Sequence, residues 1–367
     1  MRPERVSKLA RLLAKSGSMA ILAPSSSLFY LLGLDLVADE RLVAGLFWPD
    51  GRVDMVVPAL YAEEVASRLP GIEAFVWNDG ENPYGLVARR LKGMAISEVL
   101  VDNGMWAEHL IGLQGAVPGV KWGAVTPLLR EMRRVKDGAE IDALKKAAGI
   151  VDRALAATLP AIRVGMTEKD VAWNLEREIR ENGGERLSFP SIVAFGSNGA
   201  LPHYRAGERV LREGDTIVMD FGCVRDGYCS DITRTVALGT PPPQFTEVYD
   251  VVRKAHDEAM KAVRPGRPCQ DVDRAARRVI SESGYGEYFI HRTGHGIGLD
   301  GHEEPYIVEG NAQPLEEGMT FSIEPGIYLP GRFGVRIEDI VVVTGTGGVS
   351  LNEYPTDLIR IKAARGE

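Results

Sequence analysis

Apolar positions along this chain recur with two periods, and the places where one gives way to the other outline its elements. Val6, Leu9 and Leu12 or Leu13 fall at helical spacing within the basic start MRPERVSKLARLLAKSG and predict an amphipathic first helix. Apolar runs at 19–22, 42–47 and 53–57 predict strands, with amphipathic helices near 61–69, 85–91 and 107–113. That alternation describes a small α/β unit. The charged stretch LLREMRRVKDGAE, residues 128–140, carries a Lys-Asp-Gly turn and places a domain boundary at about residue 135. Ile141, Leu144, Val151, Leu155 and Leu159 then mark a long helix stopped by Pro160. A second helix starts at Thr167, a predicted N-cap with Asp170 three residues on, carries Val171, Leu175 and Ile179, and ends at Gly183-Gly184. Strands follow, and the order repeats with helices over about 246–263 and 271–283 and a closing strand-rich stretch. Helix, helix, strands, twice over, predicts a pseudo-duplicated α+β domain over 136–367 behind an α/β domain over 1–135.

The chain has 367 residues and a formal net charge of -8. That length suits two domains, and the charge argues against nucleic acid or an anionic membrane as partner. No apolar run approaches the ~20 residues of a membrane span. The N-terminal segment lacks the sustained apolar core and the cleavage site of a signal peptide. Three cysteines, Cys223, Cys229 and Cys269, are few and odd in number, which suits a reducing cytoplasm and a role as small buried hydrophobes.

Five acidic or imidazole side chains stand in motifs rich in Gly, Pro or Arg: Asp220 in VMDFG, Asp231 in GYCSDITRT, His295 in HRTGHGIG, Glu324 in FSIEPGIY and Glu338 in GVRIED. The runs 216–224 and 228–238 flank Asp226-Gly227, the favoured two-residue hairpin turn. In that register Gly222 faces Asp231 and Asp220 faces Thr233, so both Asp side chains share a face, within about 7–8 Å at the backbone. Carboxylates so close repel and call for cations between them; an exposed acidic sheet face is the plainer alternative, set against the apolar flanks Val218, Met219 and Ile232. His295 lies between two glycines, which permit unusual backbone angles or close approach, and three of the six histidines (His291, His295 and His302) fall within one short segment. Alternation in 320–324 places Phe321 and Ile323 on the core face and Thr320, Ser322 and Glu324 on the other. Glu338 shares a strand face with Arg336 in 334–343, so a salt bridge between those two is its bland reading. Together, four carboxylates and one imidazole favour Mn²⁺, Co²⁺, Fe²⁺ or Zn²⁺ over a thiolate zinc site.

These motifs, with HRTGHGIGLDGHEEP and FSIEPGIY followed by VRIED, resemble the proline-specific metallopeptidases of the pita-bread fold, the Xaa-Pro aminopeptidases and Xaa-Pro dipeptidases (prolidases). The resemblance spans the whole length and implies a creatinase-like N-terminal domain over 1–135 and a pita-bread pseudo-twofold catalytic domain over 136–367. It implies two divalent metal ions, manganese first, with cobalt, zinc or iron as alternatives. Asp220 would hold the first ion, Asp231 and Glu338 would bridge both, and His295 and Glu324 would bind the second. His203 would sit beside the scissile bond, His302 would hydrogen-bond the carbonyl oxygen, and His291 would line the substrate pocket. Arg336 with Tyr328 would orient Asp220. The implied reaction cleaves the bond between an N-terminal residue and proline through a metal-bridging hydroxide, with Glu324 as proton shuttle or, if Glu324 is only a ligand, with bulk water delivering the proton. A cytoplasmic homodimer acting on a proline-containing peptide or dipeptide is the implied setting.

The choice between dipeptidase and longer-peptide aminopeptidase turns on what holds or blocks the residue after proline; Arg41 is a weak candidate for the first. Rival readings are another pita-bread hydrolase, such as a methionine aminopeptidase or creatine amidinohydrolase, and an inactive scaffold on the same fold. The first usually lacks the N-terminal domain, and the second works without metals. A scaffold would not retain the full ligand set.

Overall fold

A computed structural model describes residues 1–362 and divides into two compact units, Met1–Met132 and Arg133–Glu367. In the first, α1 (Pro3–Ser16) buries Val6, Leu9, Ala10 and Leu13 and stops at Gly17, whose φ of 64° favours glycine. Six strands follow: β1 (Ser18–Leu22), β2 (Ala44–Phe47), β3 (Val53–Pro58), β4 (Glu73–Trp77), β5 (Glu98–Val101) and β6 (Lys121–Ala124). They form one mixed sheet in the order β4-β3-β2-β1-β5-β6, antiparallel at its centre and parallel outside. Helices α2 (Ser26–Leu32), α3 (Ala59–Arg68), α4 (Pro83–Leu91) and α5 (Ala107–Ala116) complete the unit, and α6 (Thr126–Arg134) ends it, its last two residues counting with the second unit.

Three strands and two helices here escape the periodicity. β4 and β6 lie at the two edges of the sheet, where every residue but Trp77 is exposed or half-buried, so neither shows the alternation of a strand with one buried face. The apolar run of α2 is only seven residues long. The charged stretch before residue 135 is helical up to Arg134, and the expected Lys-Asp-Gly turn is a helix start. Asp137 caps α7 (Gly138–Thr158) and exchanges hydrogen bonds with Glu140 in a capping box.

The second unit lays a helix pair over a sheet twice. First, α7 and α8 (Glu168–Glu181) bury Val151, Leu155, Val171 and Leu175 against Val193, Met219, Phe221 and Ile232. Thr167 caps α8, with Asp170 completing the box as the sequence predicts. The strands are β7 (Arg186–Leu187), β8 (Ile192–Phe195), β9 (Thr216–Phe221), β10 (Cys223–Arg225), β11 (Tyr228–Cys229) and β12 (Ile232–Leu238). Next, α9 (Pro243–Ala262) and α10 (Cys269–Glu282) bury Val248, Val252, Val272 and Ile280 against Ile307, Phe321, Ile323 and Val341. This half carries β13 (Gly294–Gly296), β14 (Glu303–Ile307), β15 (Thr320–Ile323), β16 (Gly326–Leu329), β17 (Phe333–Arg336), β18 (Asp339–Thr344) and β19 (Gly347–Ser350), and β20 (Arg360–Ile361) follows. The two main sheets run β20-β12-β9-β8 and β14-β13-β15-β18-β19.

The Asp-Gly hairpin forms in the predicted register. Asp226 and Gly227 both have positive φ, 53° and 82°, and Asp220 pairs with Thr233. The ladder breaks at Gly222 and Asp231, where the hairpin leaves a small sheet, β11-β10-β7, for the larger one. A Cβ on Gly222 would lie 2.0 Å from Ser230 O and 2.1 Å from Ser188 Oγ. The space beside Asp231 is thus taken by backbone, and glycine lets the strands close there. Among the described residues no helix is long and apolar enough to cross a membrane.

Candidate metal centre

Asp220 is the penultimate residue of β9, and Asp231 sits at the break just before β12, so the hairpin presents both carboxylates to one cavity. His295 is the middle residue of β13. The flanking glycines serve close approach, since neither has positive φ. A Cβ on Gly294 would lie 1.8 Å from Ser322 O, and one on Gly296 would lie 2.4 Å from the backbone of Glu304. β13 therefore lies against β15 closely enough for His295 N to donate to Ser322 Oγ at 3.1 Å, and that hydroxyl donates to Glu324 Oε1 at 3.2 Å. Asp273 of α10 accepts from Thr293 N and Oγ1 at 3.0 and 2.7 Å, which fixes the approach to this segment.

Glu338 departs from the expected continuous strand. It lies between β17 and β18, which belong to different sheets, and its backbone bridges to Thr233 instead. The bland salt bridge with Arg336 is also absent. Glu338 Oε2 accepts from Thr233 Oγ1 at 2.7 Å, while the Arg336 guanidinium binds Asp220 Oδ2. Arg336 further donates through Nε to Thr233 Oγ1 at 3.1 Å and to the Tyr328 hydroxyl at 2.8 Å. Buried Arg234 holds the backbone beneath, donating to Glu338 O at 2.6 Å, Thr233 O at 3.0 Å and Asp339 Oδ1 at 2.7 Å.

The cavity, about 240 Å³, is lined by Asp220, Asp231, His295, Glu324 and Glu338 together with His203, His291, His302 and Arg336. Tyr328 stands behind them, 2.8 Å from His291 Nε2. All ten sequence-expected residues thus meet in one place. Donor atoms of Asp231, His295 and Glu338 lie within 4.8 Å of one another, and Glu324 Oε1 is 3.5 Å from His295 Nε2. The sequence reading gave no role to Thr233, Ser322 and Arg292, nor to Phe189, Ile192 and Pro202, which wall the cavity. The SDITRT and HRTG motifs contain the first and third; a hydroxyl or a lone arginine carries no spacing signal of its own.

Protein partners leave this donor set incomplete. Asp220 Oδ1, Asp231 Oδ1 and Glu338 Oε1 are buried without a hydrogen-bond partner, a costly arrangement for an ionised carboxylate. Burial, and then the neighbouring carboxylates, push Asp231 and Glu338 well above the ordinary range; burial takes Glu324 up to about 7. Burial likewise drives His295 down to about 3, so it is neutral and forms no true ion pair with Asp231 or Glu324. Its Nδ1 lies 3.1 Å from Gly296 O, an acceptor, so Nδ1 carries the proton and the Nε2 lone pair faces the carboxylates. Lone pairs turned toward orphaned carboxylate oxygens are what a hard divalent cation satisfies. Thr233→Val, which keeps shape but drops the hydroxyl joining Glu338 to Arg336, is expected to weaken metal affinity by roughly 10–100-fold; competition against a fluorescent chelator measures it.

Residues 142–345 match the metallopeptidase family M24, and residues 5–135 match the creatinase/prolidase N-terminal domain. The structure of a prolidase from Thermococcus sibiricus superposes with a TM-score of 0.94 at 40% identity, covering 98% of this chain and 99% of that one. A dipeptidase from Pyrococcus horikoshii gives 0.92 at 41% identity, covering 97% and 99%. Dipeptidase PepE from Mycobacterium ulcerans gives 0.90 at 42% identity, covering 98% and 97%. The helix-pair-and-sheet duplication is thus the pita-bread catalytic fold behind a creatinase-like domain, and the chain belongs to metallopeptidase family M24.

Proposed function

We propose that the protein is a dimetal dipeptidase that hydrolyses the bond between an N-terminal residue and a C-terminal proline. One observation carries the reading: four carboxylates and a neutral imidazole, with three buried oxygens unpartnered, face an apolar wall of Phe189, Ile192 and Pro202 in one small cavity. The volume is below the roughly 300–1,000 Å³ of sites for drug-sized ligands and suits a short substrate. The names prolidase and dipeptidase borne by the relatives agree with this substrate class.

Asp220, Asp231, His295, Glu324 and Glu338 would hold two divalent ions, manganese first, with Asp231 and Glu338 shared between them. Such ions polarise the scissile carbonyl and bring the ionisation of water near neutrality. Ser322 fixes Glu324 through Oε1, and Oε2 has no hydrogen bond among the described residues. Glu324 is therefore placed to take a proton from the attacking water and pass it to the departing proline nitrogen, which has no proton of its own as an amide. Arg292 Nη2 lies 3.1 Å from His302 Nδ1, and an arginine only donates. His302 Nδ1 thus accepts, its proton sits on Nε2, and that N–H can donate to the carbonyl oxygen as negative charge develops there. His203, on the exposed loop after Ala200, borders the cavity and would sit beside the scissile bond. His291 uses both nitrogens, donating from Nδ1 to Arg292 O at 2.7 Å and accepting the Tyr328 hydroxyl, so it offers the substrate its ring edge.

Arg292 also supplies what separates a dipeptidase from an aminopeptidase. Its guanidinium lines the cavity and has no carboxylate partner among the described residues, which suits the free carboxylate of a C-terminal proline. Arg41 is already committed, forked onto Asp79 at 3.1 Å and paired with Glu40. The three cysteines are buried and free, with burial raising each thiol, which fits the cytoplasm. A homodimer is the expected assembly, checked by light scattering. The substrate reading is tested by comparing Ala-Pro, Ala-Pro-amide, Ala-Pro-Ala and Ala-Ala. Ala-Pro is expected to be turned over best, with the amide lower by about 10–100-fold, the worth of a charged hydrogen bond. Faster cleavage of the tripeptide, or equal cleavage of Ala-Ala, contradicts it.

A further inference from the structure

His302 has a mobile residue's setting and a fixed residue's task. It is exposed, on an irregular turn between Gly298 and β14, and its side chain meets Arg292 and the ring of His295, whose centroid is 3.7 Å away. Its place therefore depends on the backbone of its own turn. The next residue, Glu303, turns inward and is 8% exposed. There it meets two cations from the segment that opens the second unit: Arg133 Nη2 at 2.5 Å and Lys136 Nζ at 2.7 Å. The same Arg133 Nη2 also reaches Asp300 Oδ2 at 2.8 Å, so one nitrogen ties together residues on either side of His302 in the sequence.

The anchor points are themselves held. Lys136 is 1% exposed at its side chain, and its backbone N–H donates to Gly318 O at 2.9 Å. Glycine at 298 makes room for the carboxylate, since a Cβ there would lie 2.5 Å from Glu303 Oε1. The front of the turn is tied to the hairpin that carries Asp231, with Cys229 N donating to Gly298 O at 2.7 Å. Burying Arg133 and Lys136 against Glu303, with Asp300 also on Arg133, is poorly explained by stability, because apolar residues of similar volume often do as well or better. What the ionic arrangement provides is direction: Glu303 can face only inward, and the adjacent side chain then faces the cavity.

We propose that Arg133 and Lys136 are positioning residues that hold His302 over the reacting carbonyl by clasping Glu303. The inference rests on the role given to His302 above. It is tested by a double-mutant cycle on the full chain with metal bound. Lys136→Met is expected to lower kcat by roughly 10–100-fold, the effect of a misplacement near 1 Å, with KM within about twofold and metal content unchanged. In a His302→Ala background the same substitution is expected to change kcat by less than about threefold. Equal losses in both backgrounds, or an unchanged kcat in the single variant, overturn the proposal. Should Lys136→Met fail to fold, Arg133→Met removes the Nη2 that Asp300 and Glu303 share. A severalfold kcat loss that vanishes without His302 supports the clasp, and a loss independent of His302 overturns it. The cycle is run on whichever dipeptide the wild type cleaves. A preference for a residue other than proline thus counts against the substrate reading, while the coupling still decides the clasp.

Discussion

Asp231→Asn is expected to lose at least about 10³-fold in kcat/KM, because the ions contribute several kcal/mol of charge stabilisation and roughly 1.4 kcal/mol is a decade in rate. Asp231 is buried at the break in the hairpin, with Oδ1 unpartnered and Oδ2 3.9 Å from His295 Nε2. In the proposed role of a metal ligand it cannot be replaced by an amide, which is neutral and offers one ligating oxygen. Metal content is expected to fall from two ions per chain to at most one, read by elemental analysis after dialysis. Full turnover with both ions retained would remove Asp231 from the site. The metal-stripped protein should respond in the opposite sense. Burial, then Glu338 and Asp220, raise the folded-state pKa of Asp231, so its charge is unfavourable in the fold near neutrality. Groups raised in this way hold protons more tightly when folded, and stability falls as pH rises from the unfolded value through the folded one. For Glu324 that window runs from 4.5 to about 7. Stripped Asp231→Asn is therefore expected to melt higher than the stripped wild type at neutral pH.

Arg336→Met is expected to destabilise the fold by about 3–5 kcal/mol, the cost of removing one partner from a buried ion pair. Arg336 is 3% exposed and makes three contacts at once, to Asp220, to the Thr233 hydroxyl and to the Tyr328 hydroxyl. Without it Asp220 loses the one partner of Oδ2 and faces three other carboxylates across the cavity with no fixed cation. Urea unfolding of the metal-loaded proteins measures the difference. A loss under about 1 kcal/mol would mean that bound metal alone balances Asp220.

What the sequence revealed of this site follows from how local each signal was. The hairpin register depended on one dipeptide, Asp226-Gly227, and on counting outward from it, so Asp220 opposite Thr233 could be read directly. Glycines around His295 announced close approach, which needs no long-range knowledge. Glu338 read as mid-strand because 334–343 is continuous in pattern; the break arises from a change of sheets that only tertiary structure imposes. Arg292 and Thr233 carry no spacing signal, and their roles emerge from what they touch. The clasp on Glu303 lies furthest from sequence reasoning, since 170 residues separate it from Arg133. The same holds in the first unit, where β4 and β6 run along the edges of the sheet with little of their surface in the core.

The most direct test strips the protein with a chelator and follows Ala-Pro hydrolysis while Mn²⁺ is returned in measured equivalents. The arrangement of Asp220, Asp231, His295, Glu324 and Glu338 predicts no turnover at the start, and a rise that levels off at two equivalents per chain. Hydrolysis that persists in the stripped protein, or stays absent with both equivalents bound, would contradict a dimetal Xaa-Pro dipeptidase.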